Sequence, residues 1–296
     1  MLTIFTPTYN RASTLPTLFD SLRRQTCHDF EWLIVDDGST DDTAAVVERF
    51  RDENPPFEIR YIKKVNGGKH TAINLGAKEA RGDWFFIVDS DDRLMEDAVE
   101  WFYREAKAIA DDPQYAALVG SRIDTKGGRL GFEQPYTQID CDPVTFCFKH
   151  GGGGDHAEIV KTDILRRHPF PEYPDERFCA EGLVWHRIGR EHLFRYIDHP
   201  IYVTEYLPDG LTRNVRSLKL RDPRYSRLID LERARNRKIP LKHRLKSAIS
   251  FWRYTFALRE KQPKGAKTAV SESIKMFPAS LFLGLFGYIL FQKSKN

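Results

Sequence analysis

Apolar positions over the first hundred residues fall into two rhythms. Short, largely apolar runs at residues 2–5, 31–35 and 85–88 are separated by stretches in which apolar residues return every three or four positions. Runs without polar alternation mark strands covered on both faces, whereas the wider spacing marks helices with one buried side. Residues 2–5 predict a first strand, ended by the turn Thr6-Pro7-Thr8-Tyr9-Asn10-Arg11 because proline disrupts a sheet ladder. Ser13 or Thr14 then caps a helix to about residue 25, with Leu15, Leu18, Phe19 and Leu22 inward. A strand at 31–35, a helix burying Ala44, Val46, Val47 and Phe50, an alternating strand at 57–62 and a helix at 71–81 precede the fourth strand. The order β-α-β-α-β-α-β predicts an α/β fold with a mainly parallel, doubly wound sheet.

Residues 96–110 continue as a helix with Val99, Phe102, Tyr103, Ala106 and Ile109 on one face, followed by a buried strand at 115–120. Residues 121–156 hold Gly127-Gly128, Pro135, Pro143 and four successive glycines from Gly151, and are expected to be loop-rich. The glycine run is no phosphate-binding P-loop, since Lys-Ser or Lys-Thr does not follow. A helix ends before Pro169, and residues 178–188 predict another, with Glu181 near its start beside the apolar Leu183, Val184, Trp185 and Ile188.

Charge divides the chain. Residues 1–212 carry 25 Lys and Arg against 37 Asp and Glu, and residues 213–296 carry 21 against 5. A catalytic domain over 1–212 and a basic tail over 213–296 are therefore expected. In the tail, Leu241, Leu245, Ile249, Trp252 and Phe256 recur at helical spacing among Lys242, Arg244, Lys246, Arg253 and Arg259, a basic amphipathic helix suited to an anionic membrane surface. Residues 276–291 are almost wholly apolar but short for a span of about 20 residues. They are expected to lie in a membrane interface, the alternative being a terminal helix packed on the protein. The acidic first part repels phosphate backbones, which argues against nucleic acid. Cys27, Cys141, Cys147 and Cys179 lack zinc or redox spacing, and no apolar leader precedes the first strand. Both features point to reduced thiols and a cytoplasmic protein, peripheral on the membrane's cytoplasmic face.

Two of the parallel strands run into acids: residues 31–35 into Asp36-Asp37-Gly38-Ser39-Thr40, and residues 85–88 into Asp89-Ser90-Asp91-Asp92. Strands that release acids at the same end of a parallel sheet deliver them to one crevice, where open α/β sheets bind ligands. Crowded carboxylates on a turn suit a hard divalent ion such as Mg or Mn, although helix-capping acids after a strand give the same pattern.

The segments TPTYNR, VDDGSTDDT, NGGKHTAINLG and VDSDD, in this order, resemble bacterial family 2 glycosyltransferases of the GT-A fold, which build capsular, exopolysaccharide or lipopolysaccharide chains. The resemblance covers most of the first hundred residues. It implies a metal-dependent, inverting enzyme moving a sugar from a nucleoside diphosphate sugar, commonly a UDP-sugar, to a saccharide or lipid-linked saccharide. Asp89 and Asp91 would form the Asp-x-Asp site, one on the divalent ion, the other on ribose or metal. Tyr9 and the backbone around Thr6 and Pro7 would hold the nucleobase, with Asp37 accepting from it, while Arg11, Asn66 and Lys69 would line the nucleotide. Aligning Trp185 and Arg187 with the family's later motif puts Glu181 at the general base, where the family has Asp, and Ala180 where it has Glu. Asp155 and Asp175 are the reserves. A nucleotidyltransferase lacks support because the 6–11 turn is not a glycine-rich basic loop, and an oxidoreductase because no G-x-G-x-x-G follows a strand. A non-catalytic membrane-bound scaffold is the other alternative.

Overall fold

Strands β1 (Leu2–Thr8) and β2 (Phe30–Asp36) are buried along their whole length, as strands in the middle of a sheet covered on both faces must be. With β3 (Glu58–Lys63) and β4 (Trp84–Ile87) they form the order β3-β2-β1-β4, every neighbour parallel. Helices α1 (Leu15–Arg23), α2 (Thr43–Asp52) and α3 (Lys69–Glu79) make the crossovers. The aromatic rings of Phe19, Trp32 and Phe50 stack between the sheet and the first two helices. The computed structural model describes residues 1–131, 136–204, 211–258, 280, 282–285 and 288.

The first strand passes through Pro7 to Thr8 and does not stop at residue 5. Strand β4 pairs with β1 only as far as Phe5, so one edge of β1 has no ladder to lose where the proline sits. Helix α3 starts at Lys69, two residues before the expected point, after Gly68 at φ +97°, a conformation that favours glycine.

Past β4 the sheet becomes mixed. Strand β5 (Arg93–Leu94) and helix α4 (Ala98–Ala106) are followed by β6 (Tyr115–Asp124), which outruns its expected end at residue 120. The stretch expected to be loop-rich holds β7 (Arg129–Leu130), β8 (Gln138–Cys141) and α5 (Pro143–Lys149). Asp142 caps α5 by accepting from the amides of Val144 and Thr145, with Pro143 in the first turn, where its missing N–H is harmless. Strand β9 (Ala157–Lys161) runs antiparallel between β4 and β6, and β10 (Leu193–Thr204) lies parallel to β6. Helix α6 (Thr162–Arg167) follows β9. Helix α7 (Gly182–Ile188) is shorter than the predicted 178–188, and Glu181 occupies its N-cap position, where its carbonyl accepts from the amides of Val184 and Trp185.

The chain forms two compact units, Met1–Phe170 with Glu181–Leu207, and Pro171–Ala180 with Pro208–Asn296. The second contains α8 (Leu211–Arg221), α9 (Pro223–Arg235) and α10 (Leu241–Ala257). Glu176 caps α9 through the amides of Arg224 and Tyr225. Helix α10 packs on α9, burying Ser247, Ala248, Phe251, Trp252 and Tyr254, while Leu241 is 65% exposed. Among the described residues no helix is long and apolar enough to cross a membrane. The expected interfacial segment 276–291 lies mostly outside the described residues.

Candidate active site

The turns after β1 and β2 are laced together. Asn10, at φ +52°, donates its amide to Ser39 Oγ and accepts from the Thr40 amide at 2.8 Å, and the Arg11 amide donates to Thr43 Oγ1. Thr6 turns inward and is fully buried, its hydroxyl accepting from Trp32 Nε1. Tyr9, 47% exposed, projects from the same turn.

Asp37 is buried and ties down the loop before α3. Its carboxylate accepts from Lys64 Nζ and from the amides of Gly67 and Gly68, at 2.7 to 2.9 Å, while Asn66 Nδ2 donates to its carbonyl. Beside it, Asn66 Oδ1 and Thr8 Oγ1 are buried without hydrogen-bond partners. Buried polar atoms are seldom left so.

Lys69, the first residue of α3, aims its ammonium at the acid turn. Nζ lies 2.5 Å from Asp89 Oδ1 and 2.7 Å from Glu181 Oε1. Burial disfavours the Lys69 charge, but the two carboxylates outweigh it and hold its pKa well above the usual lysine value. Burial likewise opposes ionisation of Asp89, and Lys69, Arg122 and Arg11 reverse that, leaving its carboxyl below the usual range. Asp91 goes the other way: burial and the neighbouring Asp89 raise its pKa against the field of Arg11.

This donor set fits a divalent ion. A partly buried acid repelled by its neighbour gains from an added cation, and an ammonium already sits on the neighbour. Among the described residues no group of three or more His, Cys, Asp or Glu converges on one point, so an ion held by Asp89 and Asp91 would take its remaining oxygens from a ligand.

Behind the acids stands a brace that the sequence did not announce. The Tyr202 hydroxyl, on β10, accepts from the Asp89 amide at 2.9 Å and donates to Asp92 Oδ2 at 2.7 Å. The Arg122 guanidinium, on β6, lies 4.0 Å from the centre of the Tyr202 ring, and its Nε donates to the His156 carbonyl. Glu158, on β9, completes the group: burial and the nearby Glu181 push its pKa up to about 8 against the opposing charge of Arg122. The one available signal was a lone charge inside an apolar strand run, Arg122 after Leu118 to Ser121 and Glu158 before Ile159-Val160.

The structure thus gathers Asp89, Lys69 and Glu181, and places Arg11 near enough for its charge to act on both Asp89 and Asp91. Asp155 raises the pKa of Glu158 and so lies in the same field. Asp175 belongs to the second unit, where it is 81% exposed and 3.9 Å from Arg224.

Fold neighbours among solved structures cover almost the whole chain. Staphylococcus aureus TarS 1–349 in complex with UDP-GlcNAc superposes with a TM-score of 0.61 at 18% identity, over 97% of this chain and 89% of that one. The mannosyltransferase PcManGT of Pyrobaculum calidifontis, in complex with GDP-Man and Mn2+, gives 0.56 at 19% identity, over 97% and 86%. At these identities the likeness shows the GT-A fold. In sequence, a PGL/p-HBAD biosynthesis glycosyltransferase of Mycobacterium bovis is 40% identical over 98 residues, 32% of this chain and 37% of that protein. A chondroitin synthase of Pasteurella multocida is 38% identical over 105 residues, 36% of this chain and 11% of that protein. The match therefore spans little more than a third of the first relative's length and far less of the second's. Residues 3–175, more than half of the chain, match the family described as glycosyl transferase family 2, and the chain belongs to it.

Proposed function

We propose that the protein is a metal-dependent, inverting glycosyltransferase. It moves a sugar from a nucleoside diphosphate sugar, UDP-linked, to a hydroxyl of a saccharide or lipid-linked saccharide in cell-surface polysaccharide synthesis. The observation that supports this most is the joining of Asp89 to Glu181 through one ammonium, with Nζ contacts of 2.5 and 2.7 Å. A single displacement needs a neutralised diphosphate on one side of the sugar and a carboxylate on the other, and these two acids are near enough to serve one anomeric carbon.

Tyr9 and the backbone of Thr6 and Pro7 flank the nucleobase, and Asp37 holds the loop that presents the unpartnered oxygens of Thr8 and Asn66 to it. Asp89 and Asp91 would hold Mn or Mg beside the donor's diphosphate. When bound, the ion neutralises charge on the departing nucleoside diphosphate. Arg11 adds positive charge beside the same acids. Glu181 takes the proton of the acceptor hydroxyl as its oxygen bonds to the sugar and the sugar–diphosphate bond breaks, which inverts the anomeric centre. The complexes of fold neighbours with UDP-GlcNAc and with GDP-Man and Mn2+ support a nucleoside diphosphate donor and a divalent ion.

The exposed Lys242 and Lys246 on α10, with Leu241 beside them, favour contact with an anionic membrane, and the enzyme would work at the cytoplasmic face. Glu181→Gln tests the assignment of the base. Calorimetry should show donor binding with Mn2+ unchanged, and transfer should fall by about 10² to 10⁴. Undiminished transfer would move the base to Asp155.

A further inference from the structure

The Lys69 ammonium occupies the point where a metal site and a base meet. It contacts Asp89 Oδ1 at 2.5 Å and Glu181 Oε1 at 2.7 Å. Its backbone follows Gly68, whose amide is fixed to Asp37 Oδ2 at 2.7 Å, and the Asp89 amide is fixed to the Tyr202 hydroxyl at 2.9 Å. Both ends of the contact are therefore anchored, and between them lies a four-carbon stem that can turn.

A divalent ion reaching Asp89 alone must displace this ammonium or sit beside it, and like charges at ion-pair range repel strongly in a partly buried site. A diphosphate reverses the balance, because its negative charge attracts the ion and the ammonium together. We propose that Lys69 is a resident cation that keeps divalent metal off Asp89 until a nucleoside diphosphate arrives, and then turns from Asp89 to the diphosphate. Metal and donor consequently enter as one unit. The proposal rests on the assignment of Asp89 and Asp91 as the metal–diphosphate site.

Removing the ammonium then has effects of opposite sign. A residue that only lines the nucleotide would weaken binding of the donor and leave metal alone unaffected, and a merely structural residue would weaken both.

The test is Mn2+ binding to the full chain, followed by the electron paramagnetic resonance signal of free Mn2+, with and without UDP. Without UDP, Lys69→Met should bind Mn2+ at least about tenfold more tightly than the wild type, and with UDP at saturation the order should reverse. Lys69→Arg, which keeps the charge, should follow the wild type without UDP, and Lys69→Gln serves if the Met variant does not fold. Equal or weaker Mn2+ binding by Lys69→Met or Lys69→Gln without UDP, with wild-type Mn2+·UDP binding intact, overturns the resident-cation role and leaves the donor site standing. Failure of the wild type to bind Mn2+ and UDP together overturns the metal–diphosphate assignment itself, and this proposal with it.

Discussion

Replacing Tyr202 with Phe removes one oxygen from the brace behind the acid turn. The side chain is fully buried, and its hydroxyl accepts from the Asp89 amide at 2.9 Å while donating to Asp92 Oδ2 at 2.7 Å. Burial pushes the phenol pKa well above its usual value, so the group remains a donor at any working pH. Losing a hydrogen bond to a carboxylate costs about 1.5–3 kcal/mol, and stranding a buried amide costs about 1–3 kcal/mol. The ring remains, with Arg122 still stacked at 4.0 Å, so no cavity adds to this. The expected loss is roughly 3–4 kcal/mol, which for a chain of this size lowers the melting temperature by about 5 °C. Calorimetric melting measures the loss. Because the Asp89 backbone loses its anchor, Mn2+ binding in the presence of UDP should weaken as well. A stability change below about 1 kcal/mol, with metal binding unaltered, would refute the brace.

Other consequences concern titration and the tail. Glu31 is 2% exposed; burial opposes its charge, but hydrogen bonds from Thr3, Arg60 and the Arg81 amide prevail and hold its pKa below 4.5. Its contribution is present above pH 4.5 and is lost as pH falls through the lower folded value, so Glu31→Gln should cost about 3–5 kcal/mol at pH 7 and much less in acid. Glu158, raised from 4.5 to about 8, has the opposite sign. Stability should fall as pH rises across that window, at no more than about 1.4 kcal/mol per pH unit, and Glu158→Gln should flatten the slope in urea unfolding at pH 5 and 8. Reversing the exposed Lys242 and Lys246 to Glu should reduce co-sedimentation with anionic vesicles by about 30-fold or more, at about 1 kcal/mol for each lost basic charge, and leave neutral vesicles unaffected.

The parallel half of the sheet was legible because its strands are largely apolar runs, or alternate as at 57–62, and its helices carry one inward face. The antiparallel half was not. Strands β7 and β8 are short and polar, and they exist because they pair with β6 and β10, partners that no local pattern reveals. The acid turn was legible from spacing alone, yet what fixes it comes from residues far along the chain: Tyr202 and Arg122 reach Asp89 and Asp92 only once β6 and β10 lie side by side. Glu181 stands out in the sequence only through a motif, whereas its contact with Lys69 joins positions over a hundred residues apart. Loop glycines at 38 and 68 signal turns in sequence, but their link through Asp37 appears only in three dimensions.

The most direct test of the central claim is a calorimetric titration of the wild-type chain and Asp91→Asn with UDP, each with and without Mn2+. If Asp89 and Asp91 form the metal–diphosphate site, the wild type binds UDP only with Mn2+ and Asp91→Asn does not bind it. UDP binding that ignores both Mn2+ and the substitution, or no nucleotide binding under any condition, would contradict it.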